Sequence, residues 1–68
     1  MVNTNKILGR MRELGVNQSQ CSEAIGVAQP TYSQKINNVR PMDLDEAEKL
    51  ASYLQIDDTD FGFYFFSR

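Results

Sequence analysis

Sixty-eight residues with a formal net charge of −2 make one small domain, which buries only about 60% of its unfolded surface, so a compact all-helical fold is the economical solution. One cysteine and no histidine leave too little for an internal disulfide or a Cys/His metal site. Nor is there a histidine base, a partnered nucleophile or a glycine-rich phosphate loop, so neither an enzyme nor a cofactor is expected.

The chain reads as five helices, near residues 4–14, 18–25, 29–37, 44–54 and 58–64. Asn3 or Thr4 caps the first, in which Ile7, Leu8, Met11 and Leu14 repeat along one face, and Gly15 ends it. Lys6, Arg10 and Arg12 lie off that stripe, as a solvated charged face or as phosphate contacts. Asn17 with Gln20 three residues on has capping-box spacing, so a second helix starts there. Cys21, Ala24 and Ile25 are its apolar stripe. Gly26 closes it in the left-handed conformation, and Val27 packs back on the helix it ends. The lone Cys21 is read as a small core residue rather than a redox sensor.

Pro30 suits the first turn of the third helix, where its missing N–H has no intrahelical partner to lose. Tyr32 and Ile36 face inward from that helix, with the Tyr32 hydroxyl expected to reach the rim. Gln29, Thr31, Ser33, Gln34, Lys35, Asn37 and Asn38 lie on or near the outer face. These are amides, hydroxyls and one cation with no carboxylate, the chemistry that bonds base edges. Pro41 stops the helix from running on and leaves Arg40 beside its end, either as a backbone contact or as idle surface.

Asp43 and Glu46 form a second capping box, opening an amphipathic helix through Leu44, Ala47, Leu50, Ala51 and Leu54. Ile25, Ile36, Leu50 and Leu54 are assigned to one core cluster. After Ile56, the run Asp57-Asp58-Thr59-Asp60 supplies caps for a short last helix, and residues 61–66 hold five aromatics in six positions. One short helix cannot bury all five rings, so Phe63, Phe65 and Phe66 are expected to form an association surface. A terminal strand paired between subunits is the alternative.

Charge is unevenly placed. Residues 1–40 carry five cations against two carboxylates, and residues 41–68 two cations against seven, so a +3 half faces a −5 half. A mildly basic reading half and an acidic supporting half follow, with weak, salt-sensitive attraction to phosphate.

The stretch N-Q-S-Q-C-S-E-A-I-G-V-A-Q-P-T-Y-S resembles the Cro/CI-type (lambda-repressor-like) helix-turn-helix family of phage and bacterial regulators. The likeness lies in the polar cap, Gln18, small Ser22, Ile25, Gly26-Val27 in the turn, and Thr31 to Ser33 in the second helix. The segment K-I-N-N-V-R-P and the aromatic tail are similar to small Cro-like proteins of phages. Ala28, Pro30 and Asn38 depart from the family pattern, which has serine, a second reading side chain and glycine there.

The resemblance implies an all-α, compact five-helix domain over 1–68 with its helix-turn-helix at 17–38 and its aromatic segment at 61–66. It implies a transcription regulator, not an enzyme, that binds a double-stranded operator in a lysis–lysogeny switch, in the cytoplasm of a bacterial host and with no membrane segment. Gln18 would fix register on phosphate, Gln29, Thr31, Ser33 and Gln34 would face bases, and Lys35, Asn37, Asn38 and Arg40 would line the flanking backbone. A homodimer would present two such helices. The alternative is an antirepressor that docks the same surface on a partner repressor and blocks its DNA binding.

Overall fold

A computed structural model of the protein describes residues 1–66. Five α-helices follow in order: α1 Thr4–Leu14, α2 Gln18–Ile25, α3 Gln29–Ile36, α4 Leu44–Tyr53 and, after a 3₁₀ turn at Asp58–Asp60, α5 Phe61–Phe65. No strand occurs among the described residues, so the terminal segment is helical rather than extended. The helix expected over 58–64 is split, its acidic half forming the 3₁₀ turn and its aromatic half the α-helix.

The starts of α1, α2 and α4 follow side-chain caps, whereas α3, the 3₁₀ turn and α5 start without one, so the caps expected from Asp57 to Asp60 are not made. Asn3 accepts from the Lys6 amide, and both capping boxes, Asn17/Gln20 and Asp43/Glu46, close in both directions. The ends of the first four helices share one device. Gly15, Gly26, Asn38 and Gln55 all take positive φ, at 69°, 77°, 62° and 55°. The next residue's N–H then reaches back to the last turn: Val16 to Met11, Val27 to Ser22, Val39 to Gln34 and Ile56 to Ala51, at 2.9–3.0 Å. This is the Schellman arrangement. Two of its four left-handed positions use residues with a Cβ, of which only Asn38 belongs to the type that enters this region readily.

The core runs through every helix: Ile7 and Met11 of α1, Cys21 and Ile25 of α2, Tyr32 and Ile36 of α3, Ala47, Leu50 and Ala51 of α4 with Leu54 just beyond it, and Phe65 of α5. The expected cluster of Ile25, Ile36, Leu50 and Leu54 is present. One inward assignment changes, that of Leu44, and one holds, that of Tyr32, though its hydroxyl turns inward too. Leu44 is 59% exposed, because the buried stripe of α4 is Ala47-Leu50-Ala51-Leu54 and Leu44 heads the neighbouring row with Glu48 and Ser52. Tyr32 is fully buried, and its hydroxyl donates to Met11 Sδ at 3.3 Å instead of reaching the rim.

Phe65 is also buried, at 4% exposure, and is removed from the association surface. Its ring packs against Phe61 at a 35° tilt with centroids 4.7 Å apart and closes the core. Phe63 and Phe66 stay exposed, at 63% each.

Candidate nucleic-acid interface

Helices α2 and α3 pack on one another across the turn at Gly26 to Ala28. Both ends of α2 are fixed. The Asn17 side chain accepts from the Gln20 amide at 2.8 Å while the Asn17 amide donates to Gln20 Oε1 at 2.9 Å, and Val27 packs against the core at the other end of α2. Tyr32 and Ile36, both fully buried, pin α3 by its inner face. A hydroxyl or amide on the outer face is thereby carried on a rigid element.

On that outer face Gln29, Gln34 and Asn37 are exposed, and Thr31 and Ser33 are half-buried. Gln18 is half-buried at the first position of α2. The N-cap of α3 is Ala28, with no side-chain cap, so the Gln29 and Thr31 amides keep their donors, while Pro30 has none. The end of α3 that leads toward Gln29 therefore offers donors and no carboxylate.

The far end of α3 behaves differently from the expectation. Lys35, expected to face outward, bends to α4 and pairs with Glu46 Oε1 at 2.5 Å, both side chains being only 12% exposed. The same oxygen accepts the Asp43 amide at 3.1 Å, so one carboxylate completes the α4 capping box and neutralises the α3 lysine. Asn38 is also taken out of the reading set. Its Oδ1 accepts the Val2 amide and its Nδ2 donates to the Val2 carbonyl, each at 2.9 Å. Asn37 donates through Nδ2 to the Ser33 carbonyl at 2.8 Å, which leaves its Oδ1 outward. Arg40 is exposed, beside Met1, Pro41 and Phe66.

The segment ahead of α1 thus acts as a strap. Val2 is held by Asn38, the Asn3 amide donates to the Tyr64 carbonyl at 2.8 Å, and the Thr4 hydroxyl donates to the Ile36 carbonyl at 2.5 Å. It ties the end of α3 to α5. Arg10, read as a surface cation, is structural as well: Nε donates to the Leu54 carbonyl at 2.8 Å, and Nη2 to the Gln55 carbonyl at 3.1 Å. Lys6 lies over the Tyr64 ring, 4.9 Å from its centroid, with its charge still in solvent. Arg12 and Arg40 are exposed, with no ion pair among the described residues.

Sequence reasoning missed the Asn38–Val2 clamp, the Arg10 contacts and the Lys35–Glu46 pair. All three join residues 11 to 45 apart, for which the sequence carries no local signal; Asn38 at a helix end marks a left-handed cap but not its Val2 partner. Cys21 and Tyr32 lie outside the site. Burial pushes the Cys21 thiol above its ordinary range, against a smaller opposing hydrogen bond from Tyr32, and burial together with Cys21 pushes the Tyr32 phenol up as well. A fully buried thiol held in its protonated form is a core atom, not a reactive one.

A comparison with protein families finds a match to the helix-turn-helix model HTH_3 over residues 8–61, from the middle of α1 to the start of α5. No curated protein matches the chain.

Proposed function

From its membership of the Cro/CI-type helix-turn-helix family of DNA-binding transcription regulators, we propose that this chain reads a double-stranded operator with the outer face of α3, as a phage-type regulator in a lysis–lysogeny switch in the bacterial cytoplasm. The observation that carries the reading is the exposed set Gln29, Gln34 and Asn37, flanked by half-buried Thr31 and Ser33, on a helix pinned by Tyr32 and Ile36. Gln29 and Gln34 can each bond adenine by two atoms at once, Asn37, whose Nδ2 is engaged by the Ser33 carbonyl, keeps its Oδ1 to accept with, and hydroxyls serve either base pair. Gln18, at the start of α2, sets the register on a phosphate.

Lys35 and Asn38 drop out of the reading set because their polar atoms are engaged within the fold. Lys6, Arg12 and Arg40 are the exposed cations left in the +3 half. Three cations neutralise few phosphates, so useful affinity requires two subunits on half-sites about 34 Å apart. Phe63 and Phe66 supply the contact for that homodimer.

The same withdrawal of Lys35 and Arg10 from the surface favours one second reading, an antirepressor that lays the α3 face on a partner repressor. The readings separate in one experiment. The chain is titrated at low salt with a random duplex pool under selection, and in parallel with a co-encoded repressor. Enrichment of a palindromic motif supports operator reading. No enrichment, with a one-to-one heterodimer lost on Gln34→Glu, supports the antirepressor.

A further inference from the structure

On the acidic half, Leu44, Glu48 and Ser52 of α4, with Ile56, Asp58 and Phe61 beyond it, line a groove of about 490 Å³. It shares no residue with α2 or α3. Its floor and one wall are apolar: Ile56 and Phe61 are half-buried, and Phe61 is braced by Phe65 at 4.7 Å and by Phe66 at 5.7 Å. Leu44, 59% exposed in the first turn of α4, forms the other wall without packing into the core. At the rim, Glu48 and Asp58 are exposed and carry no ion pair among the described residues, whereas the nearby Asp45 is taken by Lys49 at 3.2 Å.

We infer that this groove docks a short amphipathic helix of a protein partner, one that lays a large apolar side chain between Leu44 and Phe61 and pairs Lys or Arg with Glu48 and Asp58. The chemistry of the lining selects the occupant. Carboxylates at the rim repel a nucleic-acid backbone and any anionic ligand. A bare cation would not need the leucine and phenylalanine walls, and no metal-binding group of three ligands occurs among the described residues. With no strand among the described residues there is no sheet edge to extend, and apolar walls with carboxylates at the rim suit an amphipathic helix, anchored by an apolar side chain and oriented by charge. The inference does not depend on what α3 reads, because the two surfaces have separate residues.

The test is a titration of the full chain, labelled with ¹⁵N, by a synthetic helix-forming peptide with leucines on one face and lysines flanking them, and by the same peptide with glutamate for lysine. Saturable amide shifts confined to the region of residues 44–61 are expected for the lysine peptide, with none for the glutamate peptide. Leu44→Ser, an exposed position at which the fold is kept, weakens binding about tenfold or more, and Glu48→Lys does so by removing and reversing a rim charge. Three results overturn the inference: equal binding of the two peptides, shifts that map to α3, or a self-association of the free chain that Leu44→Ser abolishes, since the groove would then belong to a second copy. Melting curves of both variants separate lost binding from lost folding.

Discussion

Asn38 holds two roles that substitution can pull apart. Its backbone sits at φ 62°, ending α3, and its amide makes both hydrogen bonds to Val2, which is itself only 9% exposed. Replacing it with alanine removes two bonds worth about 0.5–1.5 kcal/mol each, and it places an unassisted Cβ in the left-handed region at roughly 1 kcal/mol more. The expected loss is about 2–4 kcal/mol, or about 10–25 °C in Tm for a domain of this size. Asn38→Gly loses the same bonds but not the conformational preference, so it should cost about 1 kcal/mol less than Asn38→Ala. Urea melts of the three proteins, followed by circular dichroism at 222 nm, measure both differences. If alanine and glycine are equally harmful, the left-handed cap is not the source. If neither changes the melt yet both weaken DNA binding, Asn38 belongs to the reading face and the clamp on Val2 is irrelevant.

Leu50, with none of its surface exposed, is the centre of the cluster, and Leu50→Ala should lower stability by about 2–5 kcal/mol in the same melts. Breaking the Lys35–Glu46 pair by Lys35→Ala leaves a carboxylate that is only 12% exposed and costs about 1–3 kcal/mol; the double variant Lys35→Met, Glu46→Gln, which keeps the capping box, recovers most of it. Burial raises the Cys21 thiol and the Tyr32 phenol in the folded state. Their contribution to stability is therefore fully present below the unfolded values, about 8.5 and about 10, starts to fall as pH passes them, and is lost as pH rises through the higher folded values. Unfolding free energy should fall above about pH 9, with a shallower alkaline slope in Tyr32→Phe; a slope unchanged by that substitution would contradict the burial argument.

Three helix starts were legible from their caps, because capping is a local rule: Asn3, Asn17 and Asp43 accept from the amide three residues on, whereas the caps expected from Asp57 to Asp60 are not made and α5 starts at Phe61 without one. The inner face of α3 was equally plain from Tyr32 and Ile36. The outer face was not, since exposure of a polar residue depends on what the rest of the chain brings near it. Lys35 meets Glu46 because α4 passes beside α3, and Asn38 meets Val2 because the segment before α1 crosses the end of α3. Gln55 in the left-handed region shows the same limit. Nothing in its residue type asks for that conformation; the Arg10 bonds to the Leu54 and Gln55 carbonyls help hold it there. Among the aromatics the pattern shows that some rings must be exposed, while the choice of Phe63 and Phe66 over Phe65 is set by which face of α5 meets the core.

If the outer face of α3 distinguishes DNA sequences, an affinity ratio shows it directly. Fluorescence anisotropy with a selected operator and with a scrambled duplex, at one fixed low salt concentration, gives the specificity of the parent chain and of Gln34→Ala. Gln34→Ala should lose about 1–3 kcal/mol on the operator, almost nothing on the scrambled duplex, and its preference at one base position. An equal loss on both duplexes, or a parent chain that binds the two alike, would contradict it.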